Sequence, residues 1–383
     1  MNTGKRILKN IFSLTAAEMA SKGLAFVYSI YLIRKIGPEN NGILNFAKSL
    51  LQYFFIVVSM GFDQIGIREV AKDKSLMKRY VDSITSIRIA IALISYFALF
   101  IIVQILKITK PELANSEHII FIYGITIFSN AIMLNWVFMA IEKMELIAIR
   151  TLGIYLLNFI GIILLVHGKD DLDIAVVIIT ASMFINSVWM FYYYVKNHNL
   201  FTFRYDSKEW SSIIRQSFSI GMIFLIATLY NNIDITLLAM MRTDAETGIY
   251  GAGHQIIVFA ILPSVIIQGA FFPQFSLRNT FEQRDSIISI YARILSFFAY
   301  LISGFIFFFS DYAYILLGNE YMNTGMILKY LAFTILLQFI ISIYFSPLIS
   351  WKEEKKVIYA NIAGLIMNLI LNLLLIPKYG MFG

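Results

Sequence analysis

"NGILNFAKSLLQYFFIVVSMGFDQ", residues Asn41 to Gln64, reads as an apolar helix interrupted by one ammonium group, Lys48. What that lysine means depends on the rest of the chain. Of 383 residues, 59% are hydrophobic and 14% charged, against about 25% charged in soluble proteins. Mean hydropathy is +0.73. A helix needs about 20 mostly apolar residues to cross a bilayer. Eleven such runs occur, over roughly 8–34, 43–66, 80–106, 117–140, 145–166, 172–196, 211–241, 247–277, 286–312, 321–350 and 355–376. Strand-like alternation is absent, so the sequence predicts an all-α integral membrane protein and not a β-barrel.

Cysteine is absent, which excludes disulfides and thiolate metal sites. The basic start runs into a hydrophobic segment interrupted at Glu18, with no small-x-small cleavage pattern, and reads as an uncleaved first helix. With the N-terminus in the cytoplasm and the spans alternating, 21 Lys/Arg fall in inner connections and seven in outer ones. The positive-inside rule therefore predicts an N-in topology. The net charge of +7 follows from that distribution. Basic residues spread over short loops give no patch for nucleic acid.

Two segments match elsewhere in the chain at one offset of 206 residues. "KNIFSL" (Lys9 to Leu14) falls on "RQSFSI" (Arg215 to Ile220), and "NGILNFAKSLL" (Asn41 to Leu51) on "TGIYGAGHQII" (Thr247 to Ile257). The second match sets Lys48 against His254. An offset that carries span one onto span seven preserves orientation, as in parallel repeats about an axis along the membrane normal. The expected organisation is an N-terminal lobe over 1–200 and a C-terminal lobe over 201–383. The joint falls in the polar connection Lys196 to Trp210.

Charged residues inside spans usually face a bundle interior or a wet cavity, and helical spacing decides which share a face. In span two, Asn45, Lys48, Gln52, Ser59 and Asp63 form one polar stripe; in span one, Thr15, Glu18, Lys22 and Ser29 form another. Glu18 and Lys22 stand at i,i+4 and are either a self-neutralising ion pair or part of a cavity wall. Lys48 has no acid three or four positions away, which leaves snorkelling toward the outer headgroups or anion binding. Asn231 and Asp234 share a face of span seven, with Thr228 above them. His254 is either a neutral packing residue or a titrating one. Asn361, Asn368 and Asn372 line one stripe of span eleven, a pattern that interhelical hydrogen bonding explains. No phosphate loop, Gly-x-Ser-x-Gly, His-Glu-x-x-His or Cys/His cluster occurs, and the chain reads as a non-enzyme.

"RKIGPENNGILNFAKSLLQYF" with "GFDQIGIREVAKD" resembles the first interhelix junction and second-helix exit of polysaccharide flippases. These are the O-antigen (Wzx-type) transporters of the multidrug/oligosaccharidyl-lipid/polysaccharide (MOP) exporter superfamily. "NNIDITLLAMMRTDAETGIYGAGHQI" resembles the junction opening their second half, and "NLILNLLLIPKYGMFG" the end of their helix eleven. The resemblance implies two pseudo-symmetric six-helix bundles around a central cavity in the bacterial inner membrane. It implies a cargo of undecaprenyl-pyrophosphate-linked oligosaccharide, moved from the cytoplasmic to the periplasmic leaflet by alternating access, with membrane lipids and polysaccharide polymerase machinery as further partners. A diphosphate calls for cations in a low-dielectric cavity. Lys48 and Lys22, then His254 and Arg88, are the cavity cations this implies. Glu18, Asp63 and Asp234 are candidates for coupling to H⁺ or Na⁺, with Asn231, Asn45 and Gln52 as polar lining and no other cofactor. The competing readings are a drug/cation antiporter of the same superfamily and a membrane-embedded glycosyltransferase or polymerase. The family carries a twelfth helix, and the sequence stops at Gly383 where that helix would begin, so the expectation is a chain truncated before span twelve.

Overall fold

A computed structural model describes residues 3–198, 200–276, 281–351 and 353–383, with side chains from residue 19 onward except at 273, 276, 281 and 354. No strand occurs among the described residues. Among the described residues, ten helices are long and apolar enough to cross a membrane. The first two of the eleven predicted spans fall within one element, α1, Thr3–Ser59, and meet there at a kink. A straight helix of that length would run about 85 Å, far beyond a hydrocarbon core of about 30 Å. The break falls at Gly37 (φ 78°, ψ 172°), followed by Pro38 inside the helix. Glycine adopts positive φ without a Cβ clash, and proline suits the first turn of the helix that restarts there.

The described chain divides into two compact units, and both draw on both sides of residue 200. The first comprises 1–36 and 46–232. It holds most of α1, then α2 (Phe62–Lys72), α3 (Met77–Thr109), α4 (Glu117–Gly124), α5 (Thr126–Ala131), α6 (Asn135–Ala140), α7 (Met144–Leu165), α8 (Leu172–Asn197) and most of α9 (Ser207–Met241). Its core packs Phe62, Ile84, Trp136, Phe138 and Tyr194. On α3, Ile94, Phe97, Ile101, Ile105 and Ile108 form an exposed apolar stripe at helical spacing, a surface suited to lipid and costly in water.

The connection from α8 to α9 has no regular structure over most of its described length, yet several polar groups along it find partners. Buried Asp82 accepts from Thr202 N (3.1 Å), Thr202 Oγ1 (2.7 Å) and Lys78 Nζ (2.8 Å). Arg204 N donates to Ser86 Oγ at 2.9 Å. Glu209 lies between Arg79 (2.8 Å) and Arg204 (3.1 Å).

The second unit comprises 37–45 and 233–383. It contains α10 (Asp244–Ala260), α11 (Leu262–Ser276), α12 (Phe281–Phe309), α13 (Ala313–Leu317), α14 (Thr324–Ser350) and α15 (Glu354–Tyr379). Small hydroxyls bond helix to helix, with Ser303 Oγ donating to Ala332 O at 2.7 Å and Gln268 Nε2 to Ser342 Oγ at 2.7 Å. This is the usual polar glue of membrane bundles. Residues 37–45 cross α10 closely. Asn41 Nδ2 donates to Gly248 O at 2.8 Å. A Cβ on Gly42 would strike the Asp244 backbone, and one on Gly248 would strike the Pro38 carbonyl. The contact is reciprocal under the 206-residue offset: 42 meets 244, the repeat of 38, and 248 meets 38.

Candidate functional site

Within the second unit, Asp234 on α9 faces two amides of α15. Asn368 Nδ2 donates to Asp234 Oδ1 at 2.8 Å and Asn372 Nδ2 to the same oxygen at 2.6 Å. Asn372 Nδ2 also reaches Asn368 Oδ1 at 3.0 Å. The two asparagines stand at i,i+4 and so present one face. On α10, Tyr250 and His254 stack at 6.2 Å between ring centroids and 18° between planes, within electrostatic reach of the Asp234 carboxylate. Asp234, Tyr250, Asn368 and Asn372 line an open cavity of about 280 Å³. No lysine or arginine bonds to Asp234 among the described residues. The carboxylate is held by neutral donors, and its charge is oriented without being cancelled.

The first unit treats its intramembrane aspartate differently. Arg88, 2% exposed, donates from Nη2 to Asp63 Oδ1 at 2.5 Å and from Nη1 to Met133 O at 3.2 Å. Here a guanidinium and a carboxylate neutralise each other. The predicted stripe from Asn45 to Asp63 is not continuous. α1 ends at Ser59, Met60 and Gly61 take positive φ, and α2 restarts at Phe62. Asp63 therefore leaves the register of Lys48 and Gln52. Asn45 lies in the second unit, against Gly251, with its Nδ2 unbonded among the described residues.

Lys48 is half-buried between buried Ala47 and Ser49 and has no hydrogen-bond or ion-pair partner among the described residues. Lys22 and Gln52 are also half-buried in the first unit. Asn231 bonds its own helix, donating to Ala227 O at 2.7 Å, and does not join Asp234. The Glu18 side chain lies outside the described residues. Two further participants are Tyr250 and the Asn368–Asn372 pair as partners of Asp234. The asparagine spacing is visible in the sequence, but what faces it is not.

Ten membrane-length helices among the described residues define a multi-pass membrane protein. Its fold is similar to that of a multidrug resistance MATE family transporter of the MOP superfamily solved in an outward-facing conformation, with a TM-score of 0.53 at 16% identity over 97% of this chain and 89% of that one. The family described as "Polysaccharide biosynthesis protein" matches residues 7–277, and the chain belongs to it. It is 29% identical over 184 residues to a "Putative O-antigen transporter" of Escherichia coli (strain K12), a match covering 46% of this chain and 42% of the relative's length. It is 23% identical over 387 residues to a protein of the same description from Shigella dysenteriae, covering 98% of this chain and 94% of that one.

Proposed function

We propose that this chain works as a flippase. Its cargo is an oligosaccharide carried on undecaprenyl pyrophosphate, moved by alternating access from the cytoplasmic to the periplasmic leaflet of the bacterial inner membrane, with the N-terminus inside. The observation that carries this reading is Lys48. An ammonium in an apolar span without a protein counter-charge among the described residues is a standing demand for an anion, and a diphosphate meets it with charge-assisted hydrogen bonds. Family membership and relatives described as O-antigen transporters support the cargo class. The MATE likeness is one of fold, so it gives the antiporter reading no specific support.

Lys48→Ala is expected to abolish surface polysaccharide while leaving normal amounts of protein in the membrane; Lys48→Arg retains part of it. Normal glycan export by the alanine variant removes the anion-binding role. Asp234 is the residue assigned to coupling. Its uncancelled charge, the flexible amides around it and the adjoining cavity suit uptake of H⁺ or Na⁺. Polymerase machinery that consumes the exported unit is the expected downstream partner.

A further inference from the structure

Arg150 is used by none of the chemistry above, and its surroundings are unusual for a cation. Its residue is 8% exposed, and a guanidinium stays protonated under all physiological conditions. Its bonds go to neutral groups: Nη1 to the Met133 thioether at 3.8 Å and Nη2 to Thr151 Oγ1 at 3.2 Å. Its Nε has no partner among the described residues. No carboxylate pairs with it among those residues.

Met133 is also where Arg88 ends, through Nη1 to the Met133 carbonyl. The Arg88 Nε is likewise buried and unbonded. Asn135 reaches the same methionine, Nδ2 to Sδ at 3.5 Å. The cluster thus holds two guanidinium groups and one carboxylate, Asp63, with a net charge of +1. Asp63 is 39% exposed, while the Asn135 Oδ1 is buried and unbonded among the described residues.

A buried, permanently charged group without a counter-ion is strongly unfavourable, and unbonded buried N–H groups add to the cost. An anion with several oxygens relieves both at once. Guanidinium forks match tetrahedral oxyanions bidentately. We infer that Arg150 and Arg88, bracketing Met133, form a binding site in the first unit for a phosphate group. That group is either free phosphate or the phosphodiester of an anionic lipid headgroup. The site is separate from Lys48 and does not depend on the flippase reading.

The test uses the full chain in dodecyl maltoside micelles, which carry no phosphate, and reads the unfolding temperature, which involves no transport. Three samples are compared: micelles alone, micelles with phosphatidylglycerol, and micelles with inorganic phosphate against sodium chloride of equal ionic strength. The wild type is expected to gain several degrees, saturably, from phosphatidylglycerol or from phosphate. A gain from the lipid alone identifies a headgroup, and a gain from phosphate identifies a soluble anion. Arg150→Gln is expected to lose the gain. Arg150→Lys, which keeps the charge but not the fork, needs a several-fold higher concentration and serves if the glutamine variant does not fold. No gain in any sample beyond the chloride control, or an undiminished gain in both variants, overturns the site.

Discussion

Two aspartates inside this protein's helices have opposite fates. Asp63 meets the Arg88 guanidinium at 2.5 Å, and the pair is neutral. Asp234 meets two asparagine amides at 2.8 and 2.6 Å and no basic side chain among the described residues, beside an open cavity. An aspartate closed by a cation serves the architecture. One held by neutral dipoles has no built-in cation, the arrangement that the proposed coupling to H⁺ or Na⁺ requires.

The comparison predicts an order of stabilities. Asp63→Ala leaves Arg88 buried without its counter-charge, and a loss of about 3 kcal/mol is expected, since breaking one side of a buried pair costs roughly 3–5 kcal/mol and Asp63 is itself partly exposed. Chemical denaturation in detergent measures it. The double variant Asp63→Asn/Arg88→Met is expected to regain most of that loss. Asp234→Asn removes no counter-charge and changes stability by about 1 kcal/mol or less, while polysaccharide export falls at least tenfold. Equal destabilisation at the two sites, with equal effects on export, would erase the distinction.

A third aspartate marks the weak limit. Asp206, in the α8–α9 connection, accepts from the backbone N–H groups of Glu209 and Lys208 at 3.1 and 3.0 Å. These bonds hold its carboxyl below the ordinary value, the Glu209 N–H contributing most. A depressed carboxyl pKa means that its stabilisation is present above the unfolded value and fades as pH falls through the folded one. Asp206→Ala is expected to lower the unfolding temperature slightly at pH 7. The gap to wild type closes in acid, which a thermal scan across pH would follow.

Much of the fold is readable in the sequence because a membrane span needs only length and apolarity. Gly37–Pro38 even marks where the first two spans divide. The break at Met60–Gly61 is harder to see, because it falls between residues that suit a helix on both sides. For that reason the Asn45–Asp63 stripe looked continuous. Helical spacing places Asn368 and Asn372 on one face, but it carries no information about a partner 134 and 138 positions away. Arg150 illustrates the same limit. A basic residue beside a short connection looks solvated until packing buries it.

The crossing of residues 37–45 over α10 has a consequence of its own. Gly42 lies against the repeat counterpart of Pro38, and Gly248 against Pro38 itself. When position i touches j and the equivalent of j touches i, the contact has the symmetry of an isologous dimer interface. Such a contact needs only one gene. An ancestral half-length chain bearing a single Gly at this position would have paired with a second copy of itself through the same backbone approach. In this chain both copies of that glycine, Gly42 and Gly248, lie in one polypeptide and make the approach within a single unit.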